Sequence, residues 1–524
     1  MKVLISDNIS PKGVEILKNA GLEVDVQTGM GTEELKAKIG PYHGLVIRSA
    51  TKVTAEIIEA AENLRVIGRA GSGLDNVDKA AATKKGIVVM NTPGGNTVTT
   101  AEHTMAMLFC LARLVPQASG SMKQGAWEKK KFMGVELYGK TLGIAGMGNI
   151  GGQVAKKAKG LEMNVIAYDP FLNEEKAKSL GVEPVGLADL FRRADFITVH
   201  TPLTPETKNL INAETLALMK DGVRIVNCAR GGIVNEHDLL DALNSGKVAG
   251  AALDVFEKEP PADYTLCKHE KVVCTPHLGA ATKEAQENVA VAVAEQIADY
   301  LTRGTIRNAV NFPSIPVEQV PVLAPYIKLA ELMGGFAAQV FEHAARELTI
   351  EYGGEAAGFN TAPVTMAAVK GFLTPALGET VNFVNAPLIA KERGIEIKET
   401  RTPEAGDYRS MLCLRINGER QGYLCGTLFS RRDPRIIGLD GAPVEIIPEG
   451  TMLFMYNNDR PGLIGAVGTF LGSHGINIAR MFFGRESEGG TAISVVSVDS
   501  PLTGALLQEL KKIPNILSVK QVVL

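Results

Sequence analysis

Along residues 1–97, short apolar runs alternate with stretches whose apolar positions recur every three or four residues. The runs at 3–5, 24–26, 45–47, 65–67 and 87–90 predict strands, and the periodic stretches at 14–20, 33–38, 55–61 and 78–85 predict helices between them. Ser10-Pro11 supplies an N-cap and a first-turn proline, Gly21 a stop, and Thr32 and Thr54 further caps. A strand–helix rhythm of this kind predicts a parallel sheet covered on both faces.

After a break at 91–96, Thr99-x-x-Glu102 reads as a capping box opening an apolar helix at 103–114, and a Lys/Gly-rich break follows at 117–139. The rhythm resumes with strands at 142–145, 164–168, 196–200, 224–228, 249–253 and 272–275 and helices at 152–159, 189–193, 214–220 and 236–245. That is the size of a full dinucleotide-binding sheet. A long helix at 284–300 and an exit at 307–313 come next, and prolines 313, 316, 321 and 325 read as a linker. Residues 316–448 form a separate unit, with a helix at 326–345 and strands at 347–352, 408–416 and 421–428. Residues 452–524 have βαββαβ character: strands at 452–456, 476–483, 491–498 and 516–523, and helices at 462–474 and 501–512.

Composition narrows the function. The 524 residues imply several domains; 45% apolar and 22% charged content is ordinary for a globular protein. A net charge of −3, 5% aromatic residues and a single Trp give nucleic acid little to bind, so no nucleic-acid partner is expected. No run of about 18 apolar residues is apparent, so no membrane span is expected. The N-terminus runs straight into a strand without the shape of a signal peptide. Cys110, Cys228, Cys267, Cys274, Cys413 and Cys425 are scattered, with no C-x-x-C pair. They suggest neither a disulfide framework nor a metal site, and point to a reduced, cytoplasmic location.

The chemistry centres on Gly146-Met-Gly-Asn-Ile-Gly151, set between a strand and a helix, with a second strand ending at Asp169. Gly146 allows the tight turn, Gly148 lets backbone approach a pyrophosphate, and Gly151 lets helix and strand pack. The helix N-terminus faces the phosphates and the acid takes the ribose hydroxyls. Arg48 and Arg69 stand at carboxyl ends of strands in the first unit, where ligands of open α/β sheets collect, and could hold an anion. Arg230, Glu259 and His277 stand at or just past strand ends on the edge that carries the glycine turn. Oxidising a 2-hydroxy acid needs a base for the hydroxyl proton, which suits His277; Glu259 would raise its pKa and fix its tautomer, and Arg230 would bind a carboxylate.

Gly139-Lys-Thr-Leu-Gly-Ile144, Asn227-Cys-Ala-Arg-Gly-Gly232, Ala252-Leu-Asp-Val-Phe-Glu-Lys-Glu-Pro260 and Thr275-Pro-His-Leu-Gly279 resemble the D-2-hydroxyacid dehydrogenase family over residues 1–311. The resemblance implies a Rossmann cofactor domain at 98–283, inserted in a flavodoxin-like substrate domain made of 1–97 and 284–311. It implies NAD as cofactor, with Asp169 disfavouring a 2′-phosphate, and Arg230, Glu259 and His277 as catalytic groups. Cofactor contacts would further include Asn149, Ile150, Thr201, Cys228, Ala229, Arg230, Asp254, His277, Gly279 and Ala280; Arg48, Ser49, Arg69, Gly71 and Asn96 would meet substrate. The tail, with Asn457-Asn-Asp-Arg-Pro-Gly-Leu-Ile-Gly465 and Gly475-Ile-Asn-Ile-Ala479, resembles an ACT domain of ferredoxin-like fold. Asn457, Asp459 and Asn477 map to effector contacts; at Asn457 some serine-binding relatives carry His.

With an α+β intervening domain at 316–448, the order resembles a regulated branch of the family. That branch oxidises a phosphorylated 2-hydroxy acid at the head of serine biosynthesis. An unphosphorylated-acid reductase acting on glyoxylate, hydroxypyruvate or 2-oxoglutarate, and a non-catalytic NAD- or amino-acid-sensing assembly protein, are the alternatives. A homodimer or homotetramer is expected, with the helix from Thr99 and the loop around Trp127 as dimer surface.

Overall fold

The structure, a computed structural model, describes residues 1–313, 319–341, 345–418, 421–485 and 487–524. Four sheets organise it. In the first, five parallel strands lie in the order Glu23–Val26, Lys2–Ile5, Gly44–Ile47, Val66–Arg69, Val88–Asn91. This is the flavodoxin-like order. The returning helix Lys283–Arg303 seals one face with Val289, Val293, Ile297 and Leu301. The helix thus packs on this unit, although it follows the second sheet in the chain.

The second sheet has seven parallel strands in the order Val272–Cys274, Val248–Leu253, Val223–Asn227, Phe196–Val199, Thr141–Ala145, Asn164–Tyr168, Glu183–Pro184. The order reverses beside Thr141–Ala145, and the crevice at that reversal is where such sheets bind dinucleotides. Two local expectations fail nearby. Thr99 does not cap its helix, which begins at Thr97 behind Asn96. The turn at Gly94-Gly95, closed by Thr97 N–H donating to Gly94 O at 3.1 Å, starts the helix sooner. The expected break at 117–139 holds a helix, Val115–Lys123, which leaves the previous one through Leu114 at φ +52°. Similarly, Thr32 is the first residue of its helix and Gly31 its N-cap.

Proline 316 of the expected linker lies outside the described residues. Pro321 and Pro325 do not mark a linker but lie within the helix Val320–Val340, Pro321 in the first turn, where a missing N–H costs little. By length and apolarity this helix could cross a membrane, contrary to expectation. It is instead a core helix. Leu323, Leu329, Met333 and Phe336 pack on the intervening domain's sheet. That sheet runs Glu396–Thr402, Ala345–Gly354, Ser410–Gly418, Gly422–Phe429, Asp433–Leu439, Ala442–Ile446.

The tail sheet has the ferredoxin-like order Ile478–Arg485, Thr491–Val498, Thr451–Asn458, Ile516–Val523. Its own helices, Leu463–Ser473 and Gly504–Leu510, cover the face of Leu453, Met455 and Val496. The opposite face, with Met452, Phe454, Val495 and Val522, joins the core around helix Val320–Val340. The last two units thus share one core and are not independent modules. Phe454 is 1% exposed and meets Phe336 edge-on at 6.1 Å. Phe454→Ala should cost about 3–5 kcal/mol, and urea unfolding should show both units lost in one transition.

Cys413 and Cys425, read from the sequence as unpaired, form a disulfide. They are direct partners across the strands Ser410–Gly418 and Gly422–Phe429, a register the spacing alone does not reveal. The bridge removes scattered cysteines as an argument for a reducing compartment.

Candidate active site

The glycine turn is built as its composition requires. Gly146 has φ +100°, and a Cβ there would lie 2.5 Å from His200 O. A Cβ on Gly151 would lie 2.0 Å from Gly146 O, so the helix Asn149–Gly160 can start only behind glycine. Around Gly148 there is open space, as a pyrophosphate requires. Asp169 braces the turn: its carboxylate accepts from Met147 N–H at 2.7 Å and Phe171 N–H at 2.8 Å. Its charge stays at the end of Asn164–Tyr168, where a ribose would lie. Asp169→Asn should lower the preference for NAD over NADP by about 100-fold, because repelling a second anion costs several kcal/mol. Michaelis constants for the two cofactors check this.

Between the first two sheets lie two adjoining cavities of about 280 and 320 Å³. Ile150, Thr201, Cys228, Ala229, Arg230, Asp254 and Gly279 line the first; Arg48, Ser49, Gly71 and Glu259 line the second. Arg69, Asn96, His277 and Ala280 line both. Inside the first, His200 Nδ1 and Thr201 Oγ1 are buried polar atoms without partners among the described residues. Orphaned polar atoms beside an open glycine turn fit a polar cofactor.

His277 and Glu259 form a pair, with His277 Nδ1 2.7 Å from a Glu259 carboxylate oxygen. That hydrogen bond raises the imidazole pKa above its ordinary value, outweighing burial. Burial pushes the Glu259 carboxyl up, but His277 outweighs it and holds the group below the usual range. With Nδ1–H committed to the carboxylate, Nε2 is the nitrogen left for substrate. His277 sits at φ +55°, anchored by its N–H to Asp254 O at 2.9 Å. The Asp254 carboxylate is fully buried and accepts from Leu278 N–H at 2.7 Å, Gly279 N–H at 2.8 Å and Thr275 Oγ1 at 2.5 Å. It thus holds the turn that presents His277.

Three arginines face the cavities. Arg230 Nε donates to Asp75 at 3.0 Å and Nη1 to Ala229 O at 2.7 Å. Arg48 Nη1 donates to Asn8 O at 3.0 Å. Arg69 folds over Gly71, where a Cβ would lie 2.1 Å from its Nη1, and its buried Nε has no partner among the described residues. Burial first, and then the charge of Arg230, lower its pKa to about 10. A buried guanidinium crowded by like charge calls for an anion.

Sequence reasoning missed Thr100, whose hydroxyl donates to Gly279 O at 2.8 Å, and also Asp75, His200 and Gln286. Gln286 follows core residue Ala285 on the returning helix; only the docking of that helix on the first sheet brings it to the cavity.

The tail residues do not converge within one chain. Asn457 is buried and accepts from Ser494 Oγ at 2.5 Å. Asp459 accepts from Arg485 at 2.7 Å, whereas Asn477 donates to Asp499 at 2.8 Å. Ile478 is level with Thr451, and Arg485 with Asn457. Asp459 and Asn477 therefore lie at opposite ends of the sheet, roughly 25 Å apart at about 3.4 Å per residue.

The chain is similar to known proteins along its whole length. The D-isomer specific 2-hydroxyacid dehydrogenase NAD-binding domain matches residues 105–279. The D-3-phosphoglycerate dehydrogenase intervening domain matches 322–440, and the ACT domain 451–515. D-3-phosphoglycerate dehydrogenase of Synechocystis sp. is 47% identical over 98% of this chain and 93% of its own. The Archaeoglobus fulgidus enzyme of that name is 46% identical over 100% of both chains. Among solved structures, a glyoxylate reductase from Paecilomyes thermophila matches 59% of this chain and 98% of its own, at 29% identity and a TM-score of 0.55. The first two units are therefore shared with family members that lack the rest, and the last two with the phosphoglycerate enzymes. The chain is an NAD-dependent dehydrogenase and belongs to the D-3-phosphoglycerate dehydrogenases of the D-2-hydroxyacid dehydrogenase family.

Proposed function

We propose that the protein oxidises D-3-phosphoglycerate to 3-phosphohydroxypyruvate, opening serine biosynthesis. The observation that carries the substrate is the set Arg48, Arg69 and Arg230 around cavities that end on the His277–Glu259 pair. A 2-hydroxy acid with a second, phosphate anion uses all three. Arg230 holds the carboxylate and polarises C2; Arg69 and Arg48 take the phosphate. His277 Nε2 removes the C2 hydroxyl proton, and Glu259 stabilises the imidazolium that forms. Bound NAD supplies the hydride acceptor. NADH formation with D-3-phosphoglycerate, against D-glycerate, D-lactate and 2-hydroxyglutarate, tests this reading. A preference for an unphosphorylated acid would overturn it.

The tail supports an amino-acid effector bound between two copies. The edge strand Ile478–Arg485, paired antiparallel with its copy across a twofold axis, sets Asn477 of one chain beside the Asp459 end of the other. The NADH assay repeated with L-serine tests whether serine is that effector. For the cofactor domains, exposed apolar side chains at Phe109, Trp127, Met133 and Tyr138 favour a dimer through the helix Thr97–Arg113 and the segment after it. Sedimentation should give a mass of at least two chains; a monomer would sink the dimer.

A further inference from the structure

A third cavity, of about 380 Å³, reaches the catalytic pair from another side. None of the three arginines lines it; Phe256, Pro261 and Tyr264 give it an apolar wall. Glu259, His277, Cys267 and Cys274 line it as well. The two thiols are within hydrogen-bonding reach of each other, and both are half-buried.

Their positions in the chain matter as much as their contact. Cys267 sits in the short helix Thr265–Lys268, at the end of the segment that starts from Glu259. Cys274 ends the strand Val272–Cys274, three residues before His277. Each thiol thus rides on the segment that carries one member of the catalytic pair. Of the other cysteines, Cys110 and Cys228 are free, and Cys413 and Cys425 are already joined.

We propose that Cys267 and Cys274 are a dithiol modification site, closed to a disulfide by an oxidant of the peroxide class, and that closure displaces His277 from Glu259. The Cys267 sulfur attacks a peroxide oxygen, breaking the O–O bond to give a sulfenic acid and one water. The Cys274 sulfur then displaces the sulfenic hydroxyl as a second water, forming the S–S bond. The two sulfurs together lose two electrons, the peroxide gains them, and both thiol protons leave in the waters. Burial, and then the neighbouring thiol, push Cys274 up to about 12, which disfavours it as the thiolate that meets the peroxide first. An S–S bond of about 2.05 Å is far shorter than a thiol–thiol hydrogen bond, so closure pulls the two segments together. The 2.7 Å contact of His277 with Glu259 lies across the same two segments. A displacement of about 1 Å at such a contact costs roughly 100-fold in rate.

The full-length protein, treated with hydrogen peroxide and digested without reductant, should yield a Cys267–Cys274 linked peptide. In step with that link, kcat should fall about 100-fold while the NAD dissociation constant holds; dithiothreitol should restore both states together. Cys267→Ser and Cys274→Ser should each keep basal activity and lose the reversible inactivation. Inactivation without the link, or the link with kcat unchanged, overturns the proposal. The mass readout needs no activity, so a missing link leaves the dehydrogenase reading standing. Absence of NADH formation by the reduced protein would sink that reading and not the dithiol.

Discussion

His277→Ala lowers kcat for D-3-phosphoglycerate oxidation by about 10²- to 10⁴-fold, the usual contribution of a positioned general base, while NAD binding followed by fluorescence stays near wild type. Alanine removes only the imidazole. The turn keeps its φ of +55° under any non-glycine residue, because Asp254 holds the backbone at His277, Leu278 and Gly279. Glu259→Gln separates the two parts of the pair. The base works as neutral imidazole, so kcat/KM rises as pH climbs through the His277 pKa. Glu259, through its hydrogen bond, holds that pKa above the ordinary value. Without the carboxylate the pKa falls and the acid limb moves to lower pH. The plateau also falls, because the imidazolium has lost its counter-charge. A plateau loss with an unmoved limb would mean that Glu259 positions the ring without tuning it.

Much of this site was legible because single positions carried it. Gly146 and Gly151 admit no side chain, and a motif that tests for glycine reads those two contacts directly. Arg230, Glu259 and His277 follow strand ends of one parallel sheet, so alternation of strand and helix already brings them to one edge. Features that depend on register or docking were not legible. Cys413 meets Cys425 only because the hairpin between them pairs them directly. Gln286 reaches the cavity only because its helix returns to a sheet made almost 200 residues earlier. The resemblance makes Asp254 a cofactor contact and it lines the cavity, but that its carboxylate also holds the following turn depends on loop geometry the sequence does not show. The boundary near residue 450 was placed by a change of strand and helix pattern. Pattern along one chain cannot show that Phe454 and Phe336 share a core across that boundary.

Arg230→Ala should cost about 10²- to 10³-fold in kcat/KM, because a charge-assisted bidentate contact to a carboxylate is worth roughly 3–4 kcal/mol when desolvated. Two of its nitrogens are committed without ligand: Nε to Asp75 and Nη1 to the Ala229 carbonyl. Those bonds aim the guanidinium before substrate arrives, with Nη2 lying over Gly73, where a Cβ would be 2.3 Å away. Lysine keeps the charge but has no planar fork, so Arg230→Lys should recover no more than about tenfold. The backbone of the turn does not depend on this side chain. Asn227 donates to the Arg230 carbonyl at 2.9 Å, an atom alanine also carries. NAD affinity should therefore survive both substitutions while KM for the substrate rises and kcat falls. If NAD affinity falls as far as kcat/KM, Arg230 shapes the cofactor turn, and the carboxylate must be held by Arg69 and Arg48 instead.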